Sequence, residues 1–138
     1  MEIQESLVLV KPDGVARNLT GEILRRIEAK GYSIVDLKMV EADNELLTQH
    51  YKEHEGKPFF EPLVAFMESG PIVVVRIAGN RVIEGFRALA GTTDPTTAAP
   101  GTIRGDLGRD WGVKVQQNLV HGSDSPESAA RELALWFP

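Results

Sequence analysis

Apolar residues in this chain fall either into short unbroken runs or into stripes of helical period. Ser6, Leu7, Val8, Leu9 and Val10 read as a buried strand, and Lys11-Pro12-Asp13-Gly14 after them is a dense turn signal. Over residues 20–30 the stripe Ile23, Leu24, Ile27, the i,i+4 pair Glu22 and Arg26, and Gly31 as a stop predict an amphipathic helix. A second strand is predicted over 32–40. A second helix over 44–54 carries Leu46, Leu47, His50, Tyr51 and His54 on neighbouring faces. A short helix over 60–68, a strand over 72–75 and a helix over 81–90 follow. The sixteen residues 91–106 are then too rich in Gly, Pro and Thr for regular structure, and loops of that length in compact domains are usually functional or disordered. A strand over 115–120 leads to a last helix, with Ser125 as N-cap, Pro126 in its first position and Ala129, Leu133 and Trp136 on its buried face.

The order β-α-β-α-α-β-α-β-α contains two split β-α-β units. It predicts an α+β sandwich of ferredoxin-like type, a four-stranded antiparallel sheet covered by helices. With 138 residues the chain is expected to form a single domain, residues 1–138, able to bury a core without staples. It has no cysteine, which removes thiol nucleophiles, disulfides and cysteine metal sites. No signal segment and no run of about 20 apolar residues is present, so no membrane partner and a cytoplasmic location are expected. The net charge of -5 makes nucleic acid an unfavourable partner. An anionic ligand therefore has to meet a local basic cluster.

The most informative run is Asn118-Leu119-Val120-His121-Gly122-Ser123-Asp124. A histidine titrates near neutrality, so at a strand-to-turn junction it can serve as nucleophile or base; equally, it can be a turn residue whose followers cap the next helix. Lys11, Arg87 and Arg104 stand at element ends among turn formers, where a lysine point charge and arginine forks could converge on phosphate, although each alone reads as a solvated charge. Neither the P-loop nor the kinase glycine loop occurs. His50 and His54 have a zinc-compatible i,i+4 spacing, but Tyr51 stands where a zincin needs glutamate, so packing is the better reading and no metal ligand set is expected. Of the adjacent Phe59 and Phe60, one ring must point away from a buried helix face and could stack on a base. His121, Ser123 and Asp124 lie too close in sequence for a hydrolase triad.

Together, Lys11-Pro12-Asp13-Gly14, Pro58-Phe59-Phe60, Arg87, Pro100-Gly101-Thr102-Ile103-Arg104-Gly105-Asp106 and Asn118-x-x-His121-Gly122-Ser123-Asp124 closely resemble the nucleoside diphosphate kinases, in the same order from about residue 5 onward. The resemblance implies the same ferredoxin-like fold. It also implies transfer of the γ-phosphoryl group of a nucleoside triphosphate to a nucleoside diphosphate, by a ping-pong mechanism through a phosphohistidine. Carried over, His121 is the nucleophile and Glu132 orients its ring, directly or through Ser123. Lys11, Tyr51, Arg104 and Asn118 surround the transferred phosphoryl and the sugar 3′-hydroxyl, while Arg87 and Thr93 hold the next phosphate. Phe59 stacks on the base beside Leu63 and Val115. Mg2+ is implied as a cofactor bound mainly through the nucleotide phosphates, and a homo-oligomer, tetramer or hexamer, is implied with the 91–106 loop packed between subunits. Because Phe59, Leu63 and Val115 offer a base edge no donor or acceptor, broad base specificity is expected.

The stretch 107–114 is a few residues longer than the commonest form of the family, and Trp111 within it could pack on its own subunit, bear on a neighbour or border the base. Two other functions use the same residues. A phosphohistidine-forming hydrolase would release phosphate to water, and a non-catalytic ferredoxin-like module would only bind.

Overall fold

In the computed structural model, which describes residues 2–138, β1 (Ile3–Val10) is the strand on which the rest of the fold is assembled. It pairs antiparallel with β3 (Ile72–Asn80) on one side and with β4 (Val120–Gly122) on the other, and β2 (Ser33–Val40) completes the sheet beyond β3. The order β2-β3-β1-β4 is the expected four-stranded antiparallel sheet of an α+β, ferredoxin-like fold.

Leu7 to Val10 are buried on both sides, so alternate residues of β1 feed two separate cores. Val8 and Val10 pack with Ile23, Ile27 and Phe86 from α2 (Thr20–Ala29) and α5 (Val82–Ala90). Leu7 and Leu9 pack with Leu47, Val64, Met67, Leu133 and Trp136 from α3 (Asn44–His50), α4 (Phe60–Met67) and α7 (Pro126–Trp136). In α7, Ser125 Oγ accepts from Ser128 N at 3.0 Å, Pro126 opens the helix, and Ala129, Leu133 and Trp136 are buried as predicted.

Four local expectations change. Lys11-Pro12-Asp13-Gly14 is no simple turn but the start of a short helix, α1 (Pro12–Ala16), because proline at the first helical position loses no bond the helix would have made. The helix predicted over 44–54 stops at His50, and Lys52–His54 form a 3-10 turn, so the i,i+4 spacing of His50 and His54 does not lie on one continuous α-helix. The 91–106 loop ends in a short helix, α6 (Ile103–Leu107), capped by Thr102 Oγ1 accepting from Gly105 N at 3.0 Å. The strand predicted over 115–120 is confined to Val120–Gly122, because Leu119 lies at φ 73° and breaks the extended run.

Candidate active site

β4 pairs His121 with Leu9, which turns the imidazole to the sheet face that carries α3 and α7. There His121 Nε2 lies 3.0 Å from Glu132 Oε1, which also accepts from Ser123 Oγ at 2.8 Å. A carboxylate oxygen only accepts, so this contact suits the tautomer with the proton on Nε2, which leaves the lone pair on Nδ1. His50 packs edge-on against the His121 ring, with centroids 4.7 Å apart, and its Nδ1 accepts from Trp136 Nε1 at 3.0 Å. Burial first, and then the adjacent His121, hold the His50 pKa well below its ordinary value.

Gly122 is needed here for room rather than for a turn. Its φ is not positive, and a Cβ would sit 2.6 Å from Phe86 Cδ2.

The strained Leu119 is held by the start of α1. Asp13 Oδ2 accepts from Leu119 N at 3.1 Å, and Lys11 N donates to Leu119 O at 2.8 Å. Lys11 Nζ donates to Asn118 Oδ1 at 2.9 Å, and Asn118 Nδ2 donates to Thr93 O at 3.1 Å, linking β1, β4 and the long loop. Burial and then the Arg104 charge bring the Lys11 pKa down to about 8. Arg104 donates to the carbonyls of Asn118 (3.1 Å), Gly91 (2.9 Å) and Val120 (2.6 Å), which leaves two of its five N–H donors for a ligand. Its pKa is lowered to about 10, first by burial and then by Arg87.

These groups line a cavity of about 290 Å³. Lys11, Tyr51, Arg87, Thr93, Arg104, Asn118, His121 and Glu132 all reach it, while Ser123 lies fully buried behind Glu132. The Tyr51 hydroxyl is buried and has no partner among the described residues. Burial raises its pKa, so it stays a proton donor.

A second cavity, of about 510 Å³, shares Lys11, Thr93 and Asn118 with the first and adds Phe59, Leu63 and Val115. Phe59 is 47% exposed while Phe60 packs into the core, which settles which of the two rings faces out.

Every residue to which the resemblance gives a site role therefore borders these two adjoining cavities or, like Ser123, supports a residue that does. Sequence reasoning missed Asp13 as the brace of Leu119, His50 as the neighbour of His121, and Glu53, Asp124, Lys114 and Gln116 as cleft residues. The i,i+4 spacing of His50 and His54 around Tyr51 was the available sign for His50. Nothing local signals the others.

His50, His121 and Glu132 place three potential ligand atoms within 4.8 Å of one another. That nitrogen-rich set is unsuited to a hard cation such as Mg2+, and its atoms are engaged with Trp136 and with one another.

An α+β sheet with an imidazole at its edge, facing converging cations, defines a phosphate-handling enzyme. The family model for nucleoside diphosphate kinase matches residues 4–138. The chain is 61% identical over 136 residues to a nucleoside diphosphate kinase of Streptomyces coelicolor, covering 98% of this chain and 96% of the relative. Among solved structures it is similar to a halophilic nucleoside diphosphate kinase from Halobacterium salinarum in complex with CDP, with TM-score 0.92 and 46% identity over 99% of this chain and 88% of the other. A family protein from Babesia bovis aligns at TM-score 0.90 and 44% identity, covering 97% of this chain and 88% of that one. The chain belongs to the nucleoside diphosphate kinase family, whose members are phosphotransferases.

Proposed function

We propose that the cleft moves the terminal phosphoryl group of a nucleoside triphosphate to a nucleoside diphosphate in two half-reactions at His121. The carrying observation is the division of the imidazole, with Nε2 bound to Glu132 and Nδ1 holding the lone pair. In the first half-reaction Nδ1 attacks the γ-phosphorus, the bond to the β,γ-bridging oxygen breaks, and the diphosphate leaves with that electron pair. In the second, a terminal oxygen of another diphosphate attacks the same phosphorus, and the P–N bond returns its electrons to Nδ1.

Lys11, Tyr51, Asn118 and the free N–H groups of Arg104 surround the transferred phosphoryl and the sugar 3′-hydroxyl, and Arg87 with Thr93 holds the next phosphate. Preset positive charge stabilises a transition state whose negative charge is spread over three oxygens. Phe59 stacks on the base beside Leu63 and Val115, and the CDP held by the Halobacterium salinarum relative supports nucleotide binding here. Stacking on Phe59 admits every base.

When bound with the nucleotide, Mg2+ would supply positive charge to offset that of the phosphates. The residues present suit an ion carried by the nucleotide and water, because Lys11, Arg87 and Arg104, the charged groups assigned to the phosphates, are cations and offer a metal no ligand.

The exposed apolar residues Val35, Leu37 and Met39 lie on β2, one of the two edge strands, and support self-association as a tetramer or hexamer, which an apparent mass in solution tests. The cytoplasm, where nucleotides are pooled, is the proposed setting.

The decisive experiment incubates the protein with γ-labelled ATP and Mg2+ without acceptor, then adds GDP. Acid-labile label on the protein that moves to GTP is expected; steady phosphate release indicates the hydrolase, and no labelling overturns both. His121→Ala abolishes labelling, and Phe59→Ala weakens nucleotide binding.

A further inference from the structure

Asp13 lines neither cavity, yet its carboxylate is buried in the first turn of α1, two residues beyond Lys11. Its Oδ2 accepts from Leu119 N, while Oδ1 is buried without a partner among the described residues. A buried carboxylate with an unmatched oxygen is costly, and packing alone is served better by an apolar side chain of similar size. The Lys11 and Arg104 charges beside it offset part of that cost. Its use lies in the backbone it holds.

Leu119, at φ 73°, is the centre of a three-residue turn in which Val120 N donates to Asn118 O at 2.8 Å. Turns of this hand are rare and strained, and they persist only where their surroundings impose them. The peptide group between Asn118 and Leu119 is planar, so its two ends move together. Asp13 holds the N–H end at 3.1 Å, and Arg104 Nε donates to the carbonyl end at 3.1 Å. The same guanidinium reaches across the turn to Val120 O through Nη2 at 2.6 Å. Asn118, whose side chain binds Lys11 Nζ, leaves the chain at one end of this peptide group, and His121 follows the turn directly. Without the brace the peptide group is free to rotate. Arg104 then loses its reference points on both sides of Leu119, and Asn118 shifts with the turn.

We propose that Asp13 is a positioning residue for phosphoryl transfer, aiming Arg104 and Asn118 at the phosphoryl group by clamping the peptide group between Asn118 and Leu119. Asp13 touches neither nucleotide nor imidazole and acts through the backbone, and this role rests on the phosphoryl-transfer reading of the cleft.

The test follows single-turnover labelling of the protein by γ-labelled ATP with Mg2+ at increasing ATP. The final extent of label counts folded, competent chains, whereas the maximal rate reports the geometry of the site. Asp13→Ala is expected to lower the maximal rate about 30-fold, because small misplacements of charged groups are costly in transfer reactions. The ATP concentration giving half that rate changes by less than about twofold, since stacking on Phe59 is untouched. Asp13→Asn keeps an oxygen for Leu119 N and stays within about fivefold of the unaltered rate, the difference between a charged and a neutral acceptor. Where Asp13→Ala does not fold, replacing the Leu119 amide by an ester, which deletes only the N–H that Asp13 accepts, takes its place with the same expected loss. A lower extent of label at an unchanged maximal rate makes Asp13 a merely structural residue and overturns the inference, as does an Asp13→Asn rate as low as that of Asp13→Ala. No label on the unaltered protein overturns the kinase reading and the inference with it.

Discussion

Glu132 Oε1 lies 3.0 Å from His121 Nε2 and 2.8 Å from Ser123 Oγ, so one buried oxygen fixes the imidazole and is itself fixed by a hydroxyl. The chain of contacts continues, because Ser123 Oγ accepts from Leu7 N at 3.2 Å and so ties the carboxylate to β1. Glu132→Gln keeps an accepting oxygen but removes the negative charge that strengthens the bond to Nε2 and supports the ring as it reacts. Labelling by γ-labelled ATP is expected to slow about 100-fold, in the range usual for a lost acid-base partner. Ser123→Ala slows it less but orphans the buried Leu7 N–H, at about 1–3 kcal/mol of stability measured by denaturant unfolding. Unchanged labelling by Glu132→Gln would remove the carboxylate from the proposed mechanism.

Lys11 sets the alkaline limit of activity. Burial and the Arg104 charge lower its pKa to about 8, so in the free protein the ammonium is lost as pH rises through that value. Phosphate in the cleft supplies the missing counter-charge and raises it again. For the steady-state reaction, kcat/KM is therefore expected to fall above about pH 8, while kcat holds to higher pH. The sign follows from the cation being the binding form. Lys11→Met removes the alkaline limb along with most of the activity, and a kcat/KM that stays level to pH 9 would contradict the assignment.

His50 is held neutral between Trp136 and His121, and this has a measurable acid signature. Its pKa is well below the ordinary 6.5, and burial is the largest cause, followed by His121, Arg131, Lys11 and His54. Below about pH 6.5 the unfolded chain gains a proton at this position that the folded chain refuses, so stability falls with acidification by up to about 1.4 kcal/mol per pH unit. His50→Gln keeps an acceptor for Trp136 Nε1 but cannot titrate. Its stability is expected to decline less steeply between pH 6.5 and 5.5 than that of the unaltered protein. Parallel slopes would show that His50 is charged in the folded state.

What the sequence revealed and what it concealed divide along the range of the interactions. Apolar periodicity located β1, α2, α5 and α7 because each buries one repeated pattern against the sheet, and the motif around His121 located the cleft. The helix break at Tyr51 was hidden because 44–54 keeps a helical spacing of apolar residues through it. The loss of strand before Val120 was hidden for another reason. Leu119 adopts φ 73° only because Asp13, 106 positions earlier, accepts its N–H. The same holds for Arg104, whose N–H groups span the carbonyls of three separate residues.

Gly122 offers the sharpest steric test of how the histidine is placed. A Cβ on this residue would stand 2.6 Å from Phe86 Cδ2 and 2.9 Å from Cε2, inside van der Waals contact with a fully buried ring. Neither partner has room to yield, since Phe86 is enclosed by the core around Val8 and Val10 and β4 is paired to β1. Gly122→Ala is expected to destabilise the protein by about 1–3 kcal/mol, the usual result of overpacking a filled core. It also slows labelling, because displacing β4 moves the imidazole relative to Glu132. Phe86→Leu alone costs stability by opening a cavity, but combined with Gly122→Ala it frees space for the new methyl group. The two substitutions are therefore expected to couple favourably, with the double variant more stable than the sum of the single losses predicts. Strict additivity in denaturant unfolding would show that Phe86 is not what excludes a side chain at position 122.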